Sequence, residues 1–149
     1  MGYHASALAE PLDEWVAKNI VAEDAVLCQL AINDEYFFIA RSGNKVKVGS
    51  RLDLSNYRGR IHSFSVSWIM RNEHGTYLST KVPPVRIKDD YSQQSSHLFA
   101  ESIQYQSLNF SNSREMSVQV KVTKCDGQTC TQQNAQDFSV NLCKVELPR

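Results

Sequence analysis

No stretch of this sequence approaches the roughly 18 consecutive apolar residues that a membrane-spanning helix requires. Net charge is missing as well: sixteen basic residues balance sixteen acidic ones, so no whole-chain field would draw in nucleic acid or an anionic membrane. Nor is there a P-loop, a G-x-G-x-x-G fingerprint or a G-x-S-x-G elbow. The histidines His4, His62, His74 and His97 are scattered, and none forms the H-x-x-x-H or H-E-x-x-H pairing that aims two ligands at one metal. Glu73-His74 and Asp89-Asp90 are carboxylate-bearing pairs that a cation would suit, but they read as solvated residues at a turn and a strand end. Internal repeats are absent too. The expectation is therefore a non-enzymatic protein with no cofactor and no resident metal. A small enzyme with a dispersed site remains the third reading, and it calls for a deep pocket lined by His97, Asp89 or Glu101.

What is present is a chain of 149 residues, 42% of them hydrophobic, enough for one domain with one core. Residues 10–149 read as a single β-rich domain. The opening "MGYHASALA" reads as a disordered end, either vector-derived or the remnant of a secretory leader, because Ala7 and Ala9 stand where a signal peptidase wants small residues. Met1-Gly2 with Ser6 also fits a myristoylation pattern.

"EPLDEWVAKNIVAED" predicts one amphipathic helix over about residues 11–22. Pro11 suits the first helical position, Asp13 and Glu14 complement the positive end of the dipole, and Leu12, Trp15, Val16 and Ile20 form an apolar stripe. After Asp24 the hydrophobic period changes to two. "AVLCQLAI" places Val26, Cys28, Leu30 and Ile32 on one face, Asn33-Asp34 makes a turn, and "EYFFIAR" returns. "KVKV" is a short strand, with "SRLDLSNYRGR" as an irregular connection. "HSFSVSWIM" sets Phe64, Val66, Trp68 and Met70 against Ser63, Ser65 and Ser67. "RNEHGTY" turns, "TYLSTKV" pairs back, and Pro83-Pro84 ends that ladder. Residues 89–115 are polar with one strand expected in their middle, and "MSVQVKVTK" and "DFSVNLCKVEL" close the chain. The pattern predicts a mainly β fold, an antiparallel β-sandwich or partly open barrel with one N-terminal helix; a two-layer α+β fold with the helix on an antiparallel sheet is the alternative. Trp15 and Trp68 belong to apolar faces and are assigned to the core.

Four cysteines allow three disulfide pairings. If the last two strands form a hairpin with Cys125 opposite about Asp137, Cys143 lies roughly 20 Å down the strand at about 3.3 Å per residue. A disulfide tolerates a Cα separation below about 7 Å. Cys125 therefore pairs with Cys130 as a clasp on an exposed hairpin tip, and Cys28 pairs with Cys143. One objection is parity: Cys143 alternates out of step with Phe138, Val140 and Leu142, so the pairing calls for a β-bulge near Leu142. A four-thiolate zinc site, a redox pair and free thiols are the competing readings. They are weakened by the isolation of Cys28 and Cys143 and by the absence of C-x-x-C.

Disulfides imply an oxidising compartment, periplasmic or extracellular, where Asn109-Phe110-Ser111 would be a glycosylation sequon in a eukaryotic source. Within it, the expected task is binding another protein, in the manner of an inhibitor or immunity protein, with a homodimer possible in principle. A structural or accessory subunit of a surface or secretion assembly, such as a pilus or adhesin, is the alternative. The candidate binding surface comprises the planar and cationic cluster Tyr57, Arg58 and Arg60, the tip residues Asp126 and Gln128, and Tyr91, His97 and Phe99 from the polar segment.

Overall fold

A computed structural model describes residues 4–6, 11–53, 63–72, 75–81, 85–86, 99–107, 115–125, 131–133 and 135–146. In chain order the elements are β1 (His4–Ser6), α1 (Leu12–Asn19), β2 (Ala25–Ile32), β3 (Glu35–Ser42), β4 (Lys45–Asp53), β5 (Ser63–Asn72), β6 (Gly75–Lys81), β7 (Val85–Arg86), β8 (Phe99–Ser107), β9 (Glu115–Cys125) and β10 (Ala135–Glu146). They build two antiparallel sheets, one ordered β1-β8-β4-β3-β2 and the other β10-β9-β5-β6, with β7 also paired to β5. The sheets stay open and stack as a β-sandwich. Because α1 lies on the outer face of the first sheet, the molecule has three layers, where the two-layer alternative had one sheet.

The core between the sheets follows the alternation of the strands. Phe37, Ile39, Val46, Val48 and Leu52 from the first sheet meet Phe64, Val66, Trp68, Met70, Val118, Val120 and Val122 from the second. Phe37 and Trp68 meet edge to face across the gap, with ring centroids 6.5 Å apart. At the margin of this core Lys124 of β9 reaches across to Glu35 of β3 at 3.2 Å, and Glu35 also accepts the Asp53 amide at 3.1 Å.

β3 does not alternate, and the layers explain why. Phe37 and Ile39 face the second sheet, while Tyr36, Phe38 and Ala40 face the helix, so both sides of the strand are buried. The helical stripe packs there as the spacing predicts. Trp15 is buried, with its ring 6.0 Å from both Tyr36 and Phe38. The Phe38 ring lies over Gly49 of β4, where any Cβ would fall inside it; glycine is what lets the ring, and with it the helix, come down onto the sheet.

Several expectations are corrected. The helix is shorter than residues 11–22. Pro11, at ψ 142°, is the cap residue, and Ile20 turns extended at φ −108°, ψ 98°. Asn19 closes the last turn by donating from Nδ2 to the Trp15 carbonyl at 2.8 Å. β4 continues to Asp53, because β3 and β8 flank it and supply backbone partners whatever the polarity of Ser50 and Arg51. His4–Ser6 pair with β8, an element that the periodicity does not predict. Val26 leaves the face of Cys28, because a register shift at Leu27 rotates it outward to 45% exposure. The Asn33-Asp34 turn forms as expected, both residues having positive φ (49° and 65°).

The bulge required at Leu142 is present: Asn141 pairs with Gln119, Cys143 pairs with Val118, and the register slips between them. Phe138, Val140, Cys143 and Val145 thereby share the inner face, and Cys28 and Cys143 are bonded with Cα atoms 6.3 Å apart. This bond ties the edge strand of one sheet to the edge strand of the other. It also removes the four-thiolate zinc site and the free-thiol reading. Such a bond persists where thiols are not kept reduced, so it points to a non-reducing compartment. Cys125 is disulfide-bonded as well, and its expected partner Cys130 lies outside the described residues. Cys125 stands opposite Ala135, two residues short of the expected Asp137. It is 1% exposed, flanked by β5 and β10, and so is no part of an exposed tip.

Candidate functional site

A concavity among the described residues lies on the outer face of the first sheet, between α1 and β8. It has a volume of about 530 Å³ and is half open to solvent. Local sequence builds it in three steps. The helix ends at Asn19, and the chain then folds through a turn in which the Asp24 amide donates to the Val21 carbonyl at 2.9 Å. The Asp24 carboxylate reaches back to accept the Val21 amide at 3.3 Å, so one residue closes the turn in both directions.

That carboxylate sits above β4, where Lys47 lies on the helix-facing side of the sheet beside Ala40 and Tyr105. Lys47 Nζ donates to Asp24 Oδ2 at 3.0 Å, with side-chain exposures of 5% and 1%. Burial by itself would raise the Asp24 carboxyl. Hydrogen bonds from Lys47 and Ser42, the Lys47 charge and the Val21 amide outweigh it and hold the group below its ordinary value. The floor of the groove is thus an ionised but internally neutralised pair.

Its walls are mixed. Trp15 and Ile103 contribute apolar surface, Val21 is 45% exposed, and Tyr105 is 38% exposed with its ring centroid 5.5 Å from Lys47 Nζ. Lys18, Asn19 and Glu101 line the groove too. Behind this surface Tyr36 donates its hydroxyl to Gln29 Oε1, and burial pushes its phenol up.

A second concavity of about 440 Å³ lies on the outer face of the second sheet, lined by residues including Arg71, Gln119 and Lys144. Its cations are engaged: Arg71 Nη1 donates to Gln119 at 3.3 Å and Lys144 lies 3.7 Å from Glu115.

Of the residues proposed from sequence as a binding surface, Tyr57, Arg58, Arg60, Tyr91, His97, Asp126 and Gln128 lie outside the described residues. Phe99 is described, and it is 3% exposed, with the Arg51 guanidinium 3.9 Å from its ring centroid. It therefore supports the sheet and presents no open face. Glu101, named for the enzyme reading, does line a groove; its companions Asp89 and His97 lie outside the described residues.

Sequence reasoning misses Asp24, Lys47 and Tyr105. Asp24 reads only as the point where the helical period ends, Lys47 as part of a short strand and Tyr105 as part of a polar segment. A weak signal exists in Lys47, a charge whose strand neighbours Val46 and Val48 both face the core of a chain with α1 to place. Among the described residues no helix is long and apolar enough to cross a membrane, and no cluster of three His, Cys, Asp or Glu forms. Compared with known protein families, curated proteins and solved structures, the chain matches none.

Proposed function

We propose that this chain is an exported binding module, working in the periplasm or outside the cell, which recognises another protein non-catalytically as an inhibitor or immunity protein does. The observation that carries this reading is the half-open α1–β8 groove on a scaffold whose two sheets are clamped by Cys28–Cys143. A rigid, covalently closed support limits the ordering cost of binding, and a groove that mixes an exposed tyrosine with polar groups suits a protein surface. The clamp supports export for the reason given above.

The test has two parts. Intact mass before and after reduction and alkylation of natively purified protein should show no thiol alkylated until reduction; free thiols in the native protein would overturn export. Affinity purification from the native host's envelope or culture medium, followed by light scattering, should give a stoichiometric complex with one other protein. A chain recovered alone, as a monomer, under conditions that preserve complexes would sink the binding reading.

A second reading, a subunit of a surface or secretion assembly, is favoured by one feature. β2 is an edge strand of its sheet and exposes Val26 and Ile32, at 45% and 49%, and apolar edge strands invite pairing with another chain. Concentration-dependent polymers that disappear on Val26→Lys with Ile32→Lys would establish it; a monomer that stays monomeric at high concentration would remove it.

A further inference from the structure

We propose that the α1–β8 groove receives an uncharged, extended segment of the partner protein, with a main-chain carbonyl oxygen on the Lys47 ammonium and an apolar side chain between Val21 and Tyr105. This rests on the binding-module reading and names its site.

Lys47 carries the argument. An ammonium has three N–H donors, and among the described residues one acceptor, Asp24 Oδ2 at 3.0 Å, lies within hydrogen-bond reach, while the Tyr105 ring lies 5.5 Å away. The Lys47 side chain is only 5% exposed, and what is exposed of the site is the groove that Lys47 lines. Asp24 takes one of the three donors, and a ligand acceptor placed in the groove can take another.

Charge then selects the kind of acceptor. Asp24 neutralises Lys47 and is held ionised, and Lys18 and Glu101, the other charged residues lining the groove, are opposite in sign, so the lining carries no net charge. A carboxylate or phosphate placed on Lys47 would stand within a few ångströms of the Asp24 carboxylate, where like charges repel in a partly desolvated site. A peptide carbonyl brings the acceptor without the charge.

The apolar half of the segment is specified by what flanks Lys47. Val21 and Tyr105 both line the groove and are exposed, at 45% and 38%, and the apolar residues Trp15 and Ile103 line it with them. Tyrosine gives large contact area with few torsions to freeze, which is why it recurs as an interface anchor. The volume of about 530 Å³ falls within the ~300–1,000 Å³ usual for ligand pockets.

The experiment is a two-dimensional NMR titration of the ¹⁵N-labelled full chain, disulfides intact, with N-acetyl-phenylalaninamide, a neutral capped residue. Parallel titrations use N-acetyl-glutamate amide, N-acetyl-lysinamide and maltotriose. The expected result is saturable shifts confined to the amides of Val21, Lys47, Ile103 and Tyr105, with Kd on the order of 1 mM for so small a ligand. Tyr105→Ala, at an exposed position, should weaken binding about tenfold or more, with far-UV and near-UV spectra showing that the variant remains folded. No saturation at those amides, shifts centred elsewhere, or tighter binding of the anionic, cationic or sugar probe would each overturn the inference. A native-host complex that forms equally well with Tyr105→Ala would also overturn it while leaving the proposed function standing. Saturable binding of the capped residue with no complex in the host would remove that function and keep the site.

Discussion

Cys28 and Cys143 each stand one residue beyond a β-bulge, at Leu27 and at Leu142 respectively, and are bonded at a Cα separation of 6.3 Å; the slip at Leu142 turns Cys143 inward, while the slip at Leu27 leaves Cys28 inward and turns Val26 away from it. The bulges sit on edge strands of different sheets. Each adds a residue and reverses the facing of what precedes it. Without the slip at Leu142, Cys143 would face solvent with Asn141.

The first prediction concerns this clamp. The bond spans 115 residues of sequence, so its removal frees a large loop in the unfolded chain. Cys28→Ala with Cys143→Ala should lower unfolding stability by about 2–5 kcal/mol, read as a fall in the urea midpoint. A midpoint unchanged from that of the wild type would show that packing alone holds the sheets.

At position 49 the expectation is steric. Gly49→Ala must displace the Phe38 ring, and Phe38 lies beneath Trp15. The cost should be about 1–3 kcal/mol. Combining it with Phe38→Leu should cost less than the sum of the two single changes, because the smaller side chain vacates the space that the methyl needs. Strict additivity in thermal melts would show that the contact is not the cause.

The Asp24–Lys47 pair predicts a pH dependence. The folded-state carboxyl is held below its ordinary value, so its contribution to stability is complete above the unfolded carboxyl's value near 3.8 and is lost as pH falls through the lower folded value. Asp24→Asn should flatten that part of the stability profile. Lys47→Met, which leaves the carboxylate buried without its cation, should cost about 3–5 kcal/mol at neutral pH, and adding Asp24→Leu should recover part of it. Denaturant titrations from pH 2 to 7 check both; a profile for Asp24→Asn that overlies the wild type would remove the pair from the account.

Across the sandwich, Glu35 and Lys124 bridge the sheets at 3.2 Å. Lys124 is buried and faces the core along with Val120 and Val122. Glu35→Ala should therefore destabilise by about 1.5–3 kcal/mol, the range for a lost hydrogen bond to a charged group. Glu35→Gln, which keeps an acceptor, should cost less. Equal losses for the two variants would show that charge alone matters there.

Much of the fold was legible because alternation is a local signal. Phe64, Val66, Trp68 and Met70 reach the core as their spacing predicts, and Leu12, Trp15, Val16 and Ile20 pack as one stripe. The pairing of Cys28 with Cys143 was legible too, since strand rise limits how far a disulfide can reach. The end of β4 was not, because a polar segment becomes a strand when neighbours on both sides complete its hydrogen bonds.

By itself, then, the sequence determined the β class, the faces of its alternating strands, the single amphipathic helix and the pairing that clamps the sheets, all of which follow from periodicity and chain reach. The tertiary structure alone decided that the helix covers the first sheet, that Gly49 admits Phe38, and that Asp24 meets Lys47 beside Tyr105. Asp24 and Tyr105 lie 23 and 58 positions from Lys47 along the chain. No local pattern encodes their meeting, because it depends on which strands become neighbours and on where the helix comes to rest.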